Sequence, residues 1–389
     1  MVASILDNDL YKFTMQNAVI KLYPCSKVKY KFINRNSNNF PKDFYKKLRE
    51  LVNEMSELSL TEAEEEFLRK KFYFFDPFYI DFLKGYRYNP DEVKITQQGG
   101  KLNVEIEGYW YRSILWEVPL LALISELYFD ITRKEKPDYN KIKKINITKA
   151  EKFEQLGAKF ADFGTRRRYS FENHENVVKV FKEYAPKTLI GTSNVHLAHK
   201  YQLTPIGTQA HEWFMFHAVK YGYKMANSIA LGRWVDVYHG NLGIALSDTF
   251  TSEAFFEVFD TMYAKLFDGV RQDSGNPIDF ANDLIKHYKN LRIDPGLKTI
   301  VFSDSLNYRK VKRIETKLKN KINTSYGIGT NLSNDIPGVK PLNIVIKMIE
   351  AAPYGNDWAS TIKLSDVKGK HTGNKKSIAL AKRVLGIRN

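Results

Sequence analysis

Alternating polar and apolar residues mark the first strands of the chain. Lys27–Asn34 alternates in this way, as a strand with one buried face does. Glu92–Thr96 and Lys101–Ile106 have the composition of strands and flank the pair Gly99-Gly100, which is typical of a turn. The pattern therefore predicts three strands in the N-terminal third of the chain.

Helices are predicted between and after these strands. Phe44–Met55 and Trp116–Asp130 have helical patterns, and the second is strongly apolar. Leu60–Phe72 predicts another helix, in which Thr61 is the N-cap ahead of an acidic first turn. The Lys-rich stretch Arg133–Lys149 has a proline and no long apolar run, so it is either a junction or an exposed helix with its approach.

A regular succession of short apolar runs begins near residue 158. Each run ends in Gly, Ser, Thr or Asp and is followed by a helix-like stretch. Repetition of strand, turn and helix predicts a parallel sheet, and the number of units favours a closed or nearly closed β/α barrel. In such a barrel the reacting groups lie at the carboxyl ends of the strands, where the polar residues of these runs fall.

These patterns divide the chain into three parts, and no repeat of fixed period is found. We expect an α+β domain over 1–132, a β/α barrel over 133–350, and a C-terminal segment over 351–389 that packs on the N-terminal domain. The predicted fold class is therefore α/β, an irregular β/α barrel with an N-terminal α+β domain.

The net charge of +16, from 60 Lys and Arg against 44 Asp and Glu, raises the question of a polyanionic partner. A basic nucleic-acid-binding protein is one interpretation. Lysine far outnumbers arginine, which is the residue that most often reads bases and phosphates with two hydrogen bonds. An excess of lysine is more typical of a solvated surface, so charge alone leaves both interpretations open.

The remaining composition indicates a cytoplasmic protein. Cys25 is the single cysteine, so no disulfide forms within the chain. The N-terminal residues lack the pattern of a secretory leader, and the longest apolar stretch, near Val118–Ser125, is too short to span a membrane. We therefore expect a cytoplasmic location and no membrane partner.

The pair Gly-Thr recurs at predicted strand ends. Glycine lets the backbone approach a ligand, and threonine adds a hydroxyl beside free amide groups at a helix start, which suits an anion. Ordinary turn chemistry also favours these residues, but their recurrence favours phosphate contact for at least one pair. The pairs are Gly164-Thr165, Gly191-Thr192, Gly207-Thr208 and Gly329-Thr330.

Charged residues stand at two of the predicted strand ends, one of them beside a Gly-Thr pair. If strand alternation continues, Arg166 and Arg168 face one way and Arg167 the other, and we expect Arg166 to meet an anion. Arg271 and Asp273 are two residues apart and share one face of a strand. They can hold an anion with one group and a sugar hydroxyl or Mg²⁺ with the other, or form a buried structural ion pair.

A histidine lies in the first turn after one Gly-Thr pair. His211 can hold or transfer a phosphoryl group there, assisted by the helix N-terminus, and Thr208 and Glu212 are within reach. A structural role is the usual alternative for a lone histidine. Tyr11, in a predicted first helix, either packs in that helix or stacks on a planar ring.

The motifs, in this order and spacing, resemble those of the nicotinate phosphoribosyltransferase family over nearly the whole chain. The most specific are TPIGTQAHEW at 204–213 and GVRQDSGNP at 269–277. The others include DNDLYKFTM at 7–15, LWEVPLLALISE at 115–126, DFGTRRR at 162–168, YGIGTNL at 326–332 and KLSD at 363–366. The resemblance implies the irregular β/α barrel of the type II phosphoribosyltransferases.

This resemblance implies an enzyme that joins nicotinate to phosphoribosyl pyrophosphate, giving nicotinate mononucleotide and pyrophosphate in NAD salvage. It also implies ATP as a co-substrate, hydrolysed through a phosphohistidine that corresponds to His211. Mg²⁺ is the implied metal, and its ligands are left unassigned. Asp273 is the second catalytic residue and would support the ribose hydroxyls or the metal. A homodimer with a shared active site is implied as well.

The resemblance also implies how the substrates are bound. Arg271 and Thr208 would hold nicotinate. Phe163 would stack on its ring, and Tyr11 from the neighbouring subunit would close over the other face. Arg166 would lie close to the nicotinate and pyrophosphate groups. The 5′-phosphate would be cradled by Gly327, Gly329 and Thr330.

A nicotinamide phosphoribosyltransferase is the close alternative. In those relatives an acidic residue able to bind the carboxamide follows a Gly-Thr pair, whereas Gln209 follows Thr208 here. Arg271 suits a carboxylate but is shared by both kinds of relative, so it does not discriminate between them. The nucleic-acid interpretation does not explain the two specific motifs.

Overall fold

The computed structural model describes residues 1–133, 137–355, 357–367 and 371–387. The first elements are α1 Leu10–Leu22, β1 Lys27–Asn34, α2 Phe44–Glu54, α3 Glu62–Lys71, α4 Pro77–Gly85, β2 Val93–Gln98, β3 Lys101–Tyr109, α5 Trp110–Ser113 and α6 Glu117–Thr132. The next are α7 Tyr139–Leu156, β4 Phe160–Asp162, α8 Phe171–Tyr184, β5 Leu189–Thr192, α9 Val195–Tyr201, α10 His211–Tyr221, α11 Tyr223–Tyr238, β6 Ile244–Leu246, α12 Ser252–Val258 and α13 Thr261–Leu266. The last are β7 Gly269–Gln272, α14 Pro277–Asn290, β8 Thr299–Phe302, α15 Tyr308–Leu318, β9 Asn323–Ile328, α16 Thr330–Ser333, β10 Ile344–Ala352, β11 Ala359–Ser360 and α17 Lys375–Val384.

The N-terminal sheet is antiparallel and includes strands from far along the chain. Its order is β11-β10-β1-β3-β2, so the three strands predicted from alternation are confirmed as β1, β2 and β3. β10 pairs with β1 over its whole length, from Lys27 opposite Ala352 to Asn34 opposite Ile344. The boundary expected at residue 350 therefore lies inside a strand of this sheet.

The predicted helices form where the sequence provides their ends and their apolar faces. Thr61 and Glu64 form a reciprocal cap at the start of α3, with the Glu64 N–H donating to Thr61 Oγ1 at 3.3 Å. Most of α6 is buried, which follows from its apolar residues on all sides. The stretch 133–149 lies mostly in α7, and its residues 134–136 are outside the described ranges.

The second sheet has six parallel strands in the order β5-β4-β9-β8-β7-β6. Its strands alternate with helices along the chain, as the rhythm of apolar runs predicts. The α/β fold class with an N-terminal α+β part is therefore confirmed. All six strands end at one edge of the sheet, and the polar residues that follow them are gathered there.

An extended segment rather than a regular strand joins the two edge strands of this sheet. Thr192 in β5 forms a parallel bridge with Pro205, and the Thr208 hydroxyl donates to the Ile244 carbonyl in β6 at 3.1 Å. Gly191 permits the approach, because a Cβ there would lie 2.0 Å from the Thr204 carbonyl oxygen. The barrel is thus closed irregularly by the motif TPIGT.

Both ends of the chain pack against the edge where the parallel strands end. The start of α1 is tied to the β5–α9 turn, because Asp9 forms a bridge with Asn194 and the Leu10 N–H donates to the Ser193 carbonyl at 2.8 Å. The C-terminal segment contacts both sheets, since β11 pairs with β10 and the Leu364 N–H donates to the Thr249 carbonyl at 2.8 Å. No helix of the described residues has the length and apolarity needed to cross a membrane.

A buried ion triad fastens the start of the chain to the barrel. Arg168 donates to both carboxylate oxygens of Asp7, at 2.6 and 2.7 Å, and to Glu126 in α6 at 2.7 Å. The side chains of Arg168 and Asp7 are fully buried. Asn194 donates to Asp7 at 2.7 Å, so the carboxylate is satisfied from several elements. A charge with this many buried partners is costly to remove alone.

We expect Arg168→Met to lower the free energy of unfolding by about 3–5 kcal/mol, because it leaves two buried carboxylates without their cation. Denaturant unfolding followed by circular dichroism measures this loss. Arg69→Met is the matched control, since Arg69 is 39% exposed and its pairs with Glu65 and Asp81 should contribute less than about 1 kcal/mol. Equal losses in the two variants would contradict the role of the triad.

Candidate functional site

The carboxyl edge of the parallel sheet brings together residues that are distant in sequence. His211 is the first residue of α10, Arg271 lies in β7, and Asp273 follows β7. Asp273 connects the other two, because its Oδ2 lies 3.0 Å from His211 Nε2 and 3.4 Å from Arg271 Nη2. The three polar groups that the sequence singled out therefore form one contiguous cluster.

His211 is held from three sides. Its Nδ1 lies 3.0 Å from the Thr249 hydroxyl, and its Nε2 lies 3.0 Å from Asp273 and 2.9 Å from Lys363 Nζ. Asp248 lies 4.0 Å from the same nitrogen and accepts from Lys363 at 3.2 Å. With the ring proton on Nδ1, Nε2 accepts from the Lys363 ammonium, whereas with the proton on Nε2 it donates to the Asp273 carboxylate.

The surroundings favour the neutral form of this histidine. Burial and the positive charge of Lys363 lower the pKa of His211, while Asp248 and Asp273 partly offset this effect. Its side chain keeps 19% exposure and lies at the N-terminus of a helix of 11 residues. A neutral, partly accessible imidazole at a helix N-terminus can attack an anionic phosphoryl group.

Arg271 is fixed by neutral partners as well as by Asp273. Its Nε donates to the Ser303 hydroxyl at 3.0 Å, and its Nη1 donates to the Gln209 carbonyl at 3.4 Å. Ser303 in turn donates to Asp273 Oδ1 at 2.6 Å. Burial raises the pKa of Asp273, but Arg271 and His211 outweigh it and hold that pKa well below its usual range. The cluster therefore contains a permanent carboxylate beside a guanidinium with 15% exposure.

Phe163 and the glycines of β9 form a second wall of the site. The Phe163 N–H donates to the Ile328 carbonyl at 2.8 Å. A Cβ on Gly327 would come within 2.5 Å of the Phe163 ring, so glycine is required there for the ring to pack. Gly329 and Thr330 follow at the start of α16, next to the Phe163 carbonyl. The sequence linked these glycines to a phosphate, and the structure adds a packing reason for the first.

The three consecutive arginines have different surroundings, and the predicted alternation is wrong. Thr165–Arg167 is a 3-10 turn rather than a continuing strand. Arg168 belongs to the buried triad, whereas Arg166 is 37% exposed and lies 3.5 Å from Glu117. Arg167 donates to the Asn343 side chain at 3.2 Å. Arg166 is thus the arginine that faces the site with an incompletely used charge.

Tyr11 lies in the site of its own chain. A Cβ on Gly207 would be 2.9 Å from the Tyr11 backbone nitrogen, and the electrostatic neighbours of the phenol include Glu117 and Arg166. Burial raises the pKa of Tyr11 well above its usual value. Backbone contacts around Leu10 anchor α1 in this chain, and the contribution of Tyr11 from a neighbouring subunit to the nicotinate site stays a prediction.

Several positive side chains at this edge were not identified as site residues from the sequence. Lys363 touches His211, and Lys347 of β10 interacts electrostatically with Lys363, Arg35 and Asp273. Lys347 also lines a cavity of about 310 Å³ between β10 and the C-terminal segment. Lys363 opens the motif KLSD, which was the one available signal for it. Nothing in the sequence separates Lys347 or Arg35 from other basic residues.

Burial and neighbouring positive charges lower the pKa values of two cations at this edge. Burial, followed by the charges of Arg35 and Lys363, lowers the pKa of Lys347 to about 8. Burial, Arg166 and Arg35 likewise lower the pKa of Arg167 to about 10. Uncompensated positive charge around a concave edge is suited to a polyanion. The fold and the site together define a β/α-barrel enzyme acting on a phosphorylated substrate.

Comparison with known proteins agrees with this class. Residues 158–389 match the nicotinate phosphoribosyltransferase family, and residues 6–125 match the N-terminal domain of the same family. The chain therefore belongs to the nicotinate phosphoribosyltransferase family, whose members are enzymes of NAD salvage.

Individual relatives cover the chain from end to end. A nicotinate phosphoribosyltransferase of Chromohalobacter salexigens is 53% identical and covers 100% of this chain and 99% of its own length. That of Desulforapulum autotrophicum is 52% identical, covering 99% of each chain. The crystal structure of nicotinate phosphoribosyltransferase from Porphyromonas gingivalis superposes with a TM-score of 0.97 at 44% identity, covering 100% of both chains.

We expect pyrophosphate binding to weaken as the pH rises through about 8, because Lys347 then loses the proton that makes it a cation. Isothermal titration at several pH values measures the affinity. The matched variant Lys347→Met removes this group, so the ratio of wild-type to variant affinity cancels the titration of pyrophosphate itself. That ratio should fall by roughly tenfold from pH 7 to pH 9 if one charge-assisted hydrogen bond is lost. A constant ratio would show that the charge of Lys347 does not contribute to pyrophosphate binding.

Proposed function

We propose that this chain forms nicotinate mononucleotide and pyrophosphate from nicotinate and phosphoribosyl pyrophosphate, and that it hydrolyses ATP through His211. The observation that carries the proposal is the crowding of cations around His211 and Asp273, including Lys363 and Lys347. A substrate with a diphosphate group supplies the negative charge that this edge lacks. Nicotinate as acceptor follows from membership of the family.

The proposed nicotinate site is formed by one charge and two aromatic rings. Arg271 offers its guanidinium to the substrate carboxylate, and the Thr208 hydroxyl, which donates to Ile244, can still accept. Phe163 and Tyr11 would cover the two faces of the pyridine ring. Neither Thr208 nor Gln209 carries a carboxylate here, so the site favours nicotinate over nicotinamide.

The proposed phosphoribosyl site uses the remaining groups of the same edge. Transfer passes through a state in which the sugar is positively charged and pyrophosphate is leaving. Arg166, Lys347 and Lys363 would neutralise the pyrophosphate, and Asp273 would support the ribose. Gly327, Gly329 and Thr330 would hold the 5′-phosphate where β9 ends and α16 begins. These positioned groups replace water around the leaving group.

The proposed phosphohistidine forms on Nε2 of His211. The lone pair of this nitrogen attacks the γ-phosphorus of ATP, the bond to the ADP oxygen breaks, and ADP leaves. The ring proton stays on Nδ1 beside the Thr249 hydroxyl, and Lys363 would neutralise the new phosphoryl group. Water then hydrolyses the phosphohistidine and releases phosphate. The lowered pKa of His211 supports this assignment, because only the neutral ring has the lone pair.

Two carboxylates suit the Mg²⁺ implied by these substrates. Asp248 Oδ1 is buried without a hydrogen-bond partner, and Asp273 is a permanent carboxylate nearby. Oxygen ligands of this kind are those that Mg²⁺ prefers, usually together with substrate phosphates. When bound, Mg²⁺ would neutralise phosphate charge. Among the described residues no group of three or more His, Cys, Asp or Glu forms a complete protein cage, so the substrate would supply further ligands.

A homodimer and a cytoplasmic location complete the proposal. Large aromatic side chains are exposed on the described surface, with Tyr73 at 79% and Phe78 at 68% exposure. A dimer interface commonly buries aromatic side chains of this kind. Sedimentation velocity measures the oligomeric state.

We expect His211→Ala to abolish ATP hydrolysis and phosphoprotein formation while some slow transfer is left, because the variant lacks the phosphoryl acceptor but keeps the substrate site. The assay uses purified protein, labelled nicotinate or nicotinamide, phosphoribosyl pyrophosphate and Mg²⁺, with and without ATP. His239→Asn is the matched control, since His239 is exposed and has a positive φ of 50° that asparagine tolerates.

Two outcomes of this assay would overturn the proposal. If the mononucleotide forms only from nicotinamide, nicotinate is not the acceptor. If acid-labile phosphate still forms on the His211→Ala variant, His211 is not the phosphorylated residue.

We expect Arg271→Ala to raise the Michaelis constant for nicotinate or to eliminate turnover, since a charge-assisted contact to a carboxylate is worth roughly 1.5–3 kcal/mol. Steady-state kinetics with varied nicotinate measures this effect. Arg233→Ala is the control, because Arg233 is 45% exposed and pairs with Asp236 on the surface. Unchanged kinetics in Arg271→Ala would rule out contact between Arg271 and the substrate.

A further inference from the structure

A buried lysine holds two carboxylates that belong to different helices. Lys12 lies in α1 with a fully buried side chain. Its ammonium lies 2.5 Å from Glu117 Oε2 and also contacts Glu212. Glu117 is the first residue of α6, and Glu212 is the second residue of α10. One cation thereby joins the starts of two helices, α6 and α10.

Each of these carboxylates adjoins a different residue of the proposed site, Glu117 next to Arg166 and Glu212 next to His211. The other oxygen of Glu117 lies 3.5 Å from Arg166, which is the exposed arginine of the site. Glu212 directly follows His211, and its second oxygen accepts from the Tyr30 hydroxyl at 2.6 Å. The contacts therefore run in a continuous series from Arg166 through Glu117 and Lys12 to Glu212.

This series is electrically balanced only while Lys12 is present. Burial would lower the pKa of Lys12, but Glu117 and Glu212 raise it above its ordinary value, so the ammonium is permanent. Burial also raises the pKa of Glu212, and Lys12 acts against that effect. Without Lys12, two buried carboxylates would face each other across a gap, which is strongly unfavourable. Their helix ends could then no longer keep their positions.

We infer that Lys12 is a positioning residue that sets two separate parts of the site, the Arg166 guanidinium through Glu117 and the His211 ring through Glu212. This inference rests on the proposed function, because it assigns Arg166 to phosphoribosyl pyrophosphate and His211 to ATP. Lys12 itself touches neither substrate. Its role follows from the geometry, since the Lys12 ammonium bridges the two carboxylates that adjoin these residues.

The experiment measures each part separately in the full-length protein. The Michaelis constant for phosphoribosyl pyrophosphate without ATP reports on Arg166, and the rate of phosphoenzyme formation from labelled ATP reports on His211. Lys12→Met should raise the Michaelis constant and lower the rate of phosphoenzyme formation, each by about tenfold or more, because both groups are then misplaced. Lys12→Arg keeps the positive charge, so both quantities should return most of the way to their wild-type values.

The single carboxylate variants give the discriminating pattern. Glu117→Gln should raise the Michaelis constant and leave phosphoenzyme formation within about twofold of wild type, whereas Glu212→Gln should do the reverse. Lys31→Met is the matched control, because Lys31 is 47% exposed and pairs with Glu105 on the surface.

Several outcomes would overturn the inference. One is a Lys12→Met variant in which the Michaelis constant for phosphoribosyl pyrophosphate and the rate of phosphoenzyme formation are both unchanged. Another is a Lys12→Met variant in which only one of these two quantities changes. The third is an equal effect of Glu117→Gln and Glu212→Gln on both quantities. If Lys12→Met does not fold, the two glutamate variants alone decide, because glutamine keeps the shape of glutamate. Failure of the proposed function looks different, since wild-type protein would then form neither mononucleotide nor phosphoenzyme.

Discussion

Repulsion among positive side chains at the carboxyl edge of the parallel sheet is the constraint on which the rest of the site depends. Burial, and after it the positive charges of Arg35 and Lys363, lowers the pKa of Lys347 to about 8. A fold keeps such an arrangement only if buried carboxylates and rigid elements hold the cations in place. Asp248 and Asp273 supply part of the opposing charge, and a bound polyanion would supply the remainder.

The fold meets this constraint by drawing on distant parts of the chain. α1 and β1 come from the N-terminus, while β10 and Lys363 come from the C-terminal region, and all of them meet at the edge formed by the parallel strands. Pairing of β10 with β1 is what carries Lys347 to the site. The N-terminal sheet therefore contributes a side chain to the candidate site as well as forming a separate layer of structure.

Neighbouring residues of the same type acquire different roles because the backbone turns between them. Arg166 faces the site and Arg168 is fully buried against Asp7, although only one residue separates them. The 3-10 turn at Thr165–Arg167 produces this difference, and strand alternation would have put both on one face. In the same way, Glu212 serves a buried charge series while His211 next to it keeps 19% exposure.

The sequence by itself determined the elements and the motif residues. Alternation located β1, capping chemistry located α3, and the apolar runs ending in polar residues located the parallel strands, because these signals are local. Motif resemblance identified His211 and Arg271. Lys12 and Lys363 lie in motifs that carry the resemblance, but only the tertiary structure shows what these two lysines and Lys347 lie next to. A lysine has the same local signature whether it is solvated or buried, and only long-range packing brings its partners within reach.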